Sequence, residues 1–90
     1  MHRNSAEDAL LSKQINSHKA EIKNLKSSKE KMEQKIKNLL FSEDPNKGIF
    51  HAQEIYRLKQ DKLCLQVEID IQEKKLKRLY SENPDMNLIH

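Results

Sequence analysis

The side chains able to do chemistry are few and scattered. The four histidines, His2, His18, His51 and His90, include no pair at the i,i+3 or i,i+4 spacing that would set two imidazoles on one helix face for zinc. Cys64 is the single cysteine and has no neighbouring histidine to join it as a ligand. It also has no partner for an intrachain disulfide, which fits a reducing compartment, cytosolic or nuclear. Ser, His and Asp all occur, but a nucleophile with its base needs a pocket to assemble in. Gly48 is the only glycine, so no glycine-rich loop can cradle a phosphate. The expectation is a protein with no catalytic site, no cofactor and no metal.

Charge is the remaining chemistry. The run Lys13 to Lys37 carries eight lysines against three glutamates, and Lys74, Lys75, Lys77 and Arg78 form a second basic cluster. Either could dock on an acidic protein or an anionic membrane surface, or could be a solvated outer face. Arginines, which dominate specific base contacts, number only three and lie far apart at Arg3, Arg57 and Arg78, so no specific nucleic-acid partner is expected.

What would hold these side chains in place follows from composition. Charged residues make up 34% of the 90, aromatics 4%, and there are two prolines and no tryptophan. Such a chain is either long helix or disorder, and periodicity separates the two. Ser5, Glu7 and Asp8 suit a helix start, a hydroxyl cap followed by negative charge in the first turn. Thereafter apolar residues step by four and three. With Ile15 as a, the a sites are Ile15, Ile22, Lys29 and Ile36, and the d sites Leu11, His18, Leu25, Met32 and Leu39. That narrow seam has the 3.5-residue period of a coiled coil, which disorder does not produce.

The period stops at Ser42-Glu43-Asp44-Pro45-Asn46-Lys47-Gly48. Pro45 pushes Asp44 out of helical angles and Gly48 permits positive φ. A turn-rich stretch at mid-chain predicts a hairpin, although the heptads alone also satisfy an extended parallel dimer. A second pattern runs from Phe50 to just before Pro84. With Ile55 as a, the a sites are Ile55, Lys62, Ile69 and Leu76, and the d sites Leu58, Leu65, Gln72 and Leu79. The polar seam residues His18, Lys29, Lys62 and Gln72 either specify register or, for the lysines, lay apolar stems along the seam with their charges in water.

From Leu63 to Ile71 apolar and polar residues alternate, which is also a strand pattern. A lone strand here would have nothing to pair with except another copy, and the heptad continues in phase on both flanks, so helix is expected. Wound into a helix, the alternation yields a second apolar face. Leu65 and Ile69 stay on the seam, while Tyr56, Leu63, Cys64, Val67 and Ile71 fall on the b, c and f side. A helix apolar on two sides must be covered on two sides, and a hairpin partner covers one.

Two long helices around a short Pro/Gly turn resemble the antiparallel coiled-coil finger of Rho-family effectors. This homology-region-one repeat occurs in protein-kinase-N-like kinases and some F-BAR scaffold proteins. Ser28-Lys29-Glu30-Lys31-Met32 is similar to the family's Gly-Ala-Glu-x-Met/Leu stretch, with Glu30 and Met32 in place and Ser28 and Lys29 where Gly and Ala are usual. Ala52-Gln53-Glu54-Ile55, with Lys62-Leu63 after it, is similar to the start of the family's second helix. The resemblance spans about residues 11 to 80. It implies a hairpin that binds a GTP-loaded small GTPase through one face.

The sequence therefore predicts an all-α coiled-coil hairpin, oligomeric, with a disordered 1–4, a helix over 5–41, a turn over 42–49, a helix over 50–82 and a tail over 83–90. No apolar run is long enough for a transmembrane segment, and Met1 to Ser5 is not followed by the apolar core of a secretory signal. The expected function is self-association or binding to a helical partner within a larger assembly. A Rho-family GTPase is the alternative partner.

Overall fold

The computed structural model describes residues 5–83. It consists of helix α1 (Ser5–Ser42), a single 3-10 turn (Pro45–Lys47) and helix α2 (Ala52–Glu82). The expected disordered 1–4 and the tail from 84 onward lie outside the described residues. The two helices pack side by side as an antiparallel hairpin. Residues 63 to 71, whose alternation also fits a strand, are helical throughout.

α1 has 38 residues and α2 31, so at about 1.5 Å per residue the hairpin arms are roughly 57 and 46 Å long. Neither contains Gly or Pro, and leucine, lysine, glutamate and glutamine fill half of α1 and more than half of α2. Glu7 and Asp8 sit in the first turn of α1, where the helix dipole favours negative charge. Ser5, which the sequence offers as the cap, is the first residue of α1 itself.

The connection is held by its own backbone. Asp44 and Ile49 exchange two N–H···O bonds of 2.9 Å, closing the loop as an isolated antiparallel bridge. Inside it, the Asp44 carboxylate accepts from the Asn46 amide at 3.1 Å, Pro45 opens the 3-10 turn with its preset φ, and Gly48 ends it at φ 70. Gly48 is the one residue with positive φ among those described, a backbone angle that L side chains rarely adopt and that glycine takes at little cost.

α2 begins at Ala52, two residues later than the heptads imply. Ile49 is committed to the bridge, and the His51 amide donates to the Glu43 carboxylate at 2.8 Å. His51 makes no side-chain cap of its own. Glu43, from the end of α1, therefore satisfies an amide at the start of α2 and sets a negative charge at the positive end of its dipole. At the far end, the Asn83 amide side chain donates to the Leu79 carbonyl and its backbone N–H bonds to the Tyr80 carbonyl.

The core is a single line of side chains. Leu11, Ile15, Leu25 and Ile36 from α1 are buried with Ile55 and Ile69 from α2, and Ile69 is only 2% exposed. Ile22, Met32, Leu39, Leu58, Leu65, Leu76 and Leu79 are half-buried. Two helices can enclose no more than this, because each seam residue is covered from one side only.

Candidate interaction surface

All thirteen apolar seam residues lie on the inner faces, buried or half-buried, and the four polar seam residues lie there half-buried with them. The polar ones are used. His18 Nδ1 donates to Gln72 Oε1 at 2.6 Å, joining two d positions across the hairpin. Lys29 Nζ donates to Gln66 Oε1 at 2.6 Å, and Lys62 Nζ lies 3.6 Å from Glu33 Oε1. Lys26 and Glu73 meet at 3.4 Å, and the Lys19 ammonium stands 5.8 Å from the centre of the Tyr80 ring. From Lys29 to Glu33 is four residues up α1, and from Gln66 to Lys62 is four residues down α2, so the antiparallel register holds over that turn. Both seam lysines are half-buried, and their ammonium groups reach side chains of the opposite helix.

The second apolar face is bare. Tyr56, Leu63, Cys64, Val67 and Ile71 are all exposed, Leu63 to 59% and Val67 to 57%. At 100° per residue, Tyr56, Leu63 and Val67 point almost directly away from the α1 seam. Along the stripe Gln60 fills the gap between Tyr56 and Leu63, and Lys74 continues it toward the basic cluster.

A further apolar patch lies at the hairpin tip, where the seam frame had no use for it. Phe41 is 87% and Phe50 63% exposed, with Leu40 and Ile49 exposed beside them in sequence. Both phenylalanines of the chain therefore sit next to the turn and outside the core. The signal was the surplus itself: Leu39-Leu40-Phe41 and Ile49-Phe50 supply more apolar residues than one d position requires. An open groove of about 360 Å³ joins this tip to the stripe, lined by Leu40, Glu43, Ala52, Ile55, Tyr56 and Lys59.

Among the described residues no cluster of three or more His, Cys, Asp or Glu could hold a metal ion, and no helix is long and apolar enough to cross a membrane. His18 and His51 lie at opposite parts of the hairpin, one in the seam and one at the start of α2. The features that stand out are thus an apolar stripe, an apolar tip and the charges beside them. No family model matches the chain, and neither a curated protein nor a solved structure does.

Proposed function

We propose that this chain is a non-enzymatic protein-interaction module in which α1 holds α2 straight and α2 presents its outer face to another helical surface. The occupant is a second copy or a helical segment of a larger assembly. One observation carries this: Leu63 and Val67 stay in water although α1 already fills the seam. Exposed apolar area is unfavourable by about 25 cal/mol per Å², and a continuous strip of it favours association. The exposed Cys64 thiol suits a reducing compartment, cytosolic or nuclear.

The test is the double change Leu63→Ser and Val67→Ser, with helicity by circular dichroism and molar mass by light scattering. Retained helicity with loss of assembly supports the proposal. A collapse of helicity would move the stripe into the hairpin's own core. No change in either would make it ordinary surface.

A second function fits the antiparallel hairpin with its bare second helix: a finger that binds a Rho-family GTPase through the same stripe. Binding to the GTP-loaded but not the GDP-loaded GTPase, lost in the same double variant, is its test. Equal binding to both nucleotide states would exclude it.

A further inference from the structure

The charges that border the stripe have an order. On the helical wheel of α2, Arg57 and Glu68 lie along one edge of the Tyr56–Leu63–Val67 line, and Lys59 and Asp70 along the other. All four are exposed. Between Gln53 and Lys74, each of these edges has its cation nearer the start of the helix and its anion nearer the end, eleven residues apart; Lys75 and Lys77 follow on the same two edges beyond that stretch. Within one chain that spacing is too long for either pair to meet.

We propose that the stripe is covered by the α2 stripe of a second copy, laid antiparallel, with the two-fold axis between Leu63 and Cys64. Two antiparallel helices match each edge to the same edge of the partner. Arg57 then faces Glu68 of the second copy, and Lys59 faces its Asp70, twice over by symmetry. The same register sets Tyr56 against Ile71, Val67 against Gln60, and Leu63 at the centre. Asp70 accepts an in-chain bond from Gln66 Nε2 at 3.0 Å, and its carboxylate retains capacity for another donor.

Charge also decides against the parallel alternative. In register and parallel, opposite edges meet at equal height, which brings Arg57 to Lys59 and Glu68 to Asp70, like against like. It would also stack Lys74, Lys75, Lys77 and Arg78 on their own copies. The antiparallel pair separates those two basic clusters by about 40 Å, beyond the reach of unscreened repulsion at physiological salt. The contact runs from about Gln53 to Lys74, roughly 30 Å of helix. That is at the small end of specific interfaces, so the dimer forms in a concentration-dependent way.

This pairing rests on the stripe being the interaction surface, and the experiment separates the two. Sedimentation of the wild-type chain over a concentration series is expected to show a monomer–dimer equilibrium. Arg57→Glu is expected to weaken it about tenfold or more, through repulsion from Glu68 of the partner. Arg57→Glu with Glu68→Arg in the same chain re-forms both pairs and is expected to return the affinity to within about threefold of wild type. A spin label at Gln53, in a Cys64→Ser background, then reads about 30 Å to its mate if the helices are antiparallel, and near contact if they are parallel. A monomer at every concentration overturns the second copy as occupant. A dimer indifferent to Arg57→Glu, or not rescued by the exchange, or with adjacent Gln53 labels, overturns the register. In those last cases loss of the dimer in the Leu63→Ser, Val67→Ser variant would still leave the stripe as the interface, whereas its survival there would remove both.

Discussion

His18 and Gln72, the polar d residues of their two helices, meet across the seam with Nδ1 and Oε1 2.6 Å apart. Each would be a defect alone, a half-buried polar group in an apolar line. Together they satisfy one another and mark one alignment of the helices. A slide by one heptad would set His18 against an apolar residue and leave Gln72 without its imidazole.

The pair is therefore expected to be coupled. His18→Leu and Gln72→Leu each leave one polar side chain facing a leucine, while the double change leaves neither. A double-mutant cycle by chemical denaturation is expected to give a coupling energy of about 1 kcal/mol, with the double variant at least as stable as either single one. Strict additivity would mean that the bond contributes nothing.

The seam and the outside should respond differently to one charge. Leu25 is buried between the helices, whereas Lys23, two residues earlier, is exposed. Leu25→Asp places an unpaired carboxylate in the core and is expected to destabilise by about 3 kcal/mol or more, enough to unfold so thin a hairpin. Lys23→Asp is expected to lower stability by less than about 1 kcal/mol. Comparable shifts in Tm would contradict the assigned seam.

At the turn, Gly48 holds φ 70 and nothing lies within 4 Å of where a Cβ would be. Space is no obstacle to Gly48→Ala; the backbone angle is. The substitution is expected to lower stability by about 1 kcal/mol, and Gly48→Asn by less, because asparagine tolerates the left-handed region better. An alanine variant as stable as wild type would show that the turn relaxes to another conformation.

Amide exchange should follow the hydrogen bonding. Leu25 and Leu65 lie mid-helix on the seam and are expected to exchange slowest, at rates set by global unfolding. The Phe50 amide, beside the bridge between Asp44 and Ile49, is expected to exchange orders of magnitude faster. Protection of the tip equal to that of the seam would require a partner on Phe41 and Phe50.

Much of this architecture is local and therefore legible along the chain. A 3.5-residue apolar period needs no distant partner to be recognised, so the inner positions from Leu11 to Leu79 follow from spacing alone. Pro45 and Gly48 mark the turn because φ is a property of single residues. The same wheel puts Leu63 and Val67 opposite Leu65 and Ile69. Heptads, however, satisfy an antiparallel hairpin and a parallel dimer equally well, and only the folded chain shows α2 returning along α1. The partners of the polar seam residues depend on that return. Lys29 bonds to Gln66 and Lys62 approaches Glu33 because the antiparallel alignment brings residues more than twenty-five positions apart to one height. The late start of α2 has the same origin. Nothing near Ala52 signals it, since the carboxylate that takes the His51 amide belongs to Glu43, at the end of the other helix. Periodicity encodes which face turns inward; which residue waits on the other side is decided by the path of the chain through space.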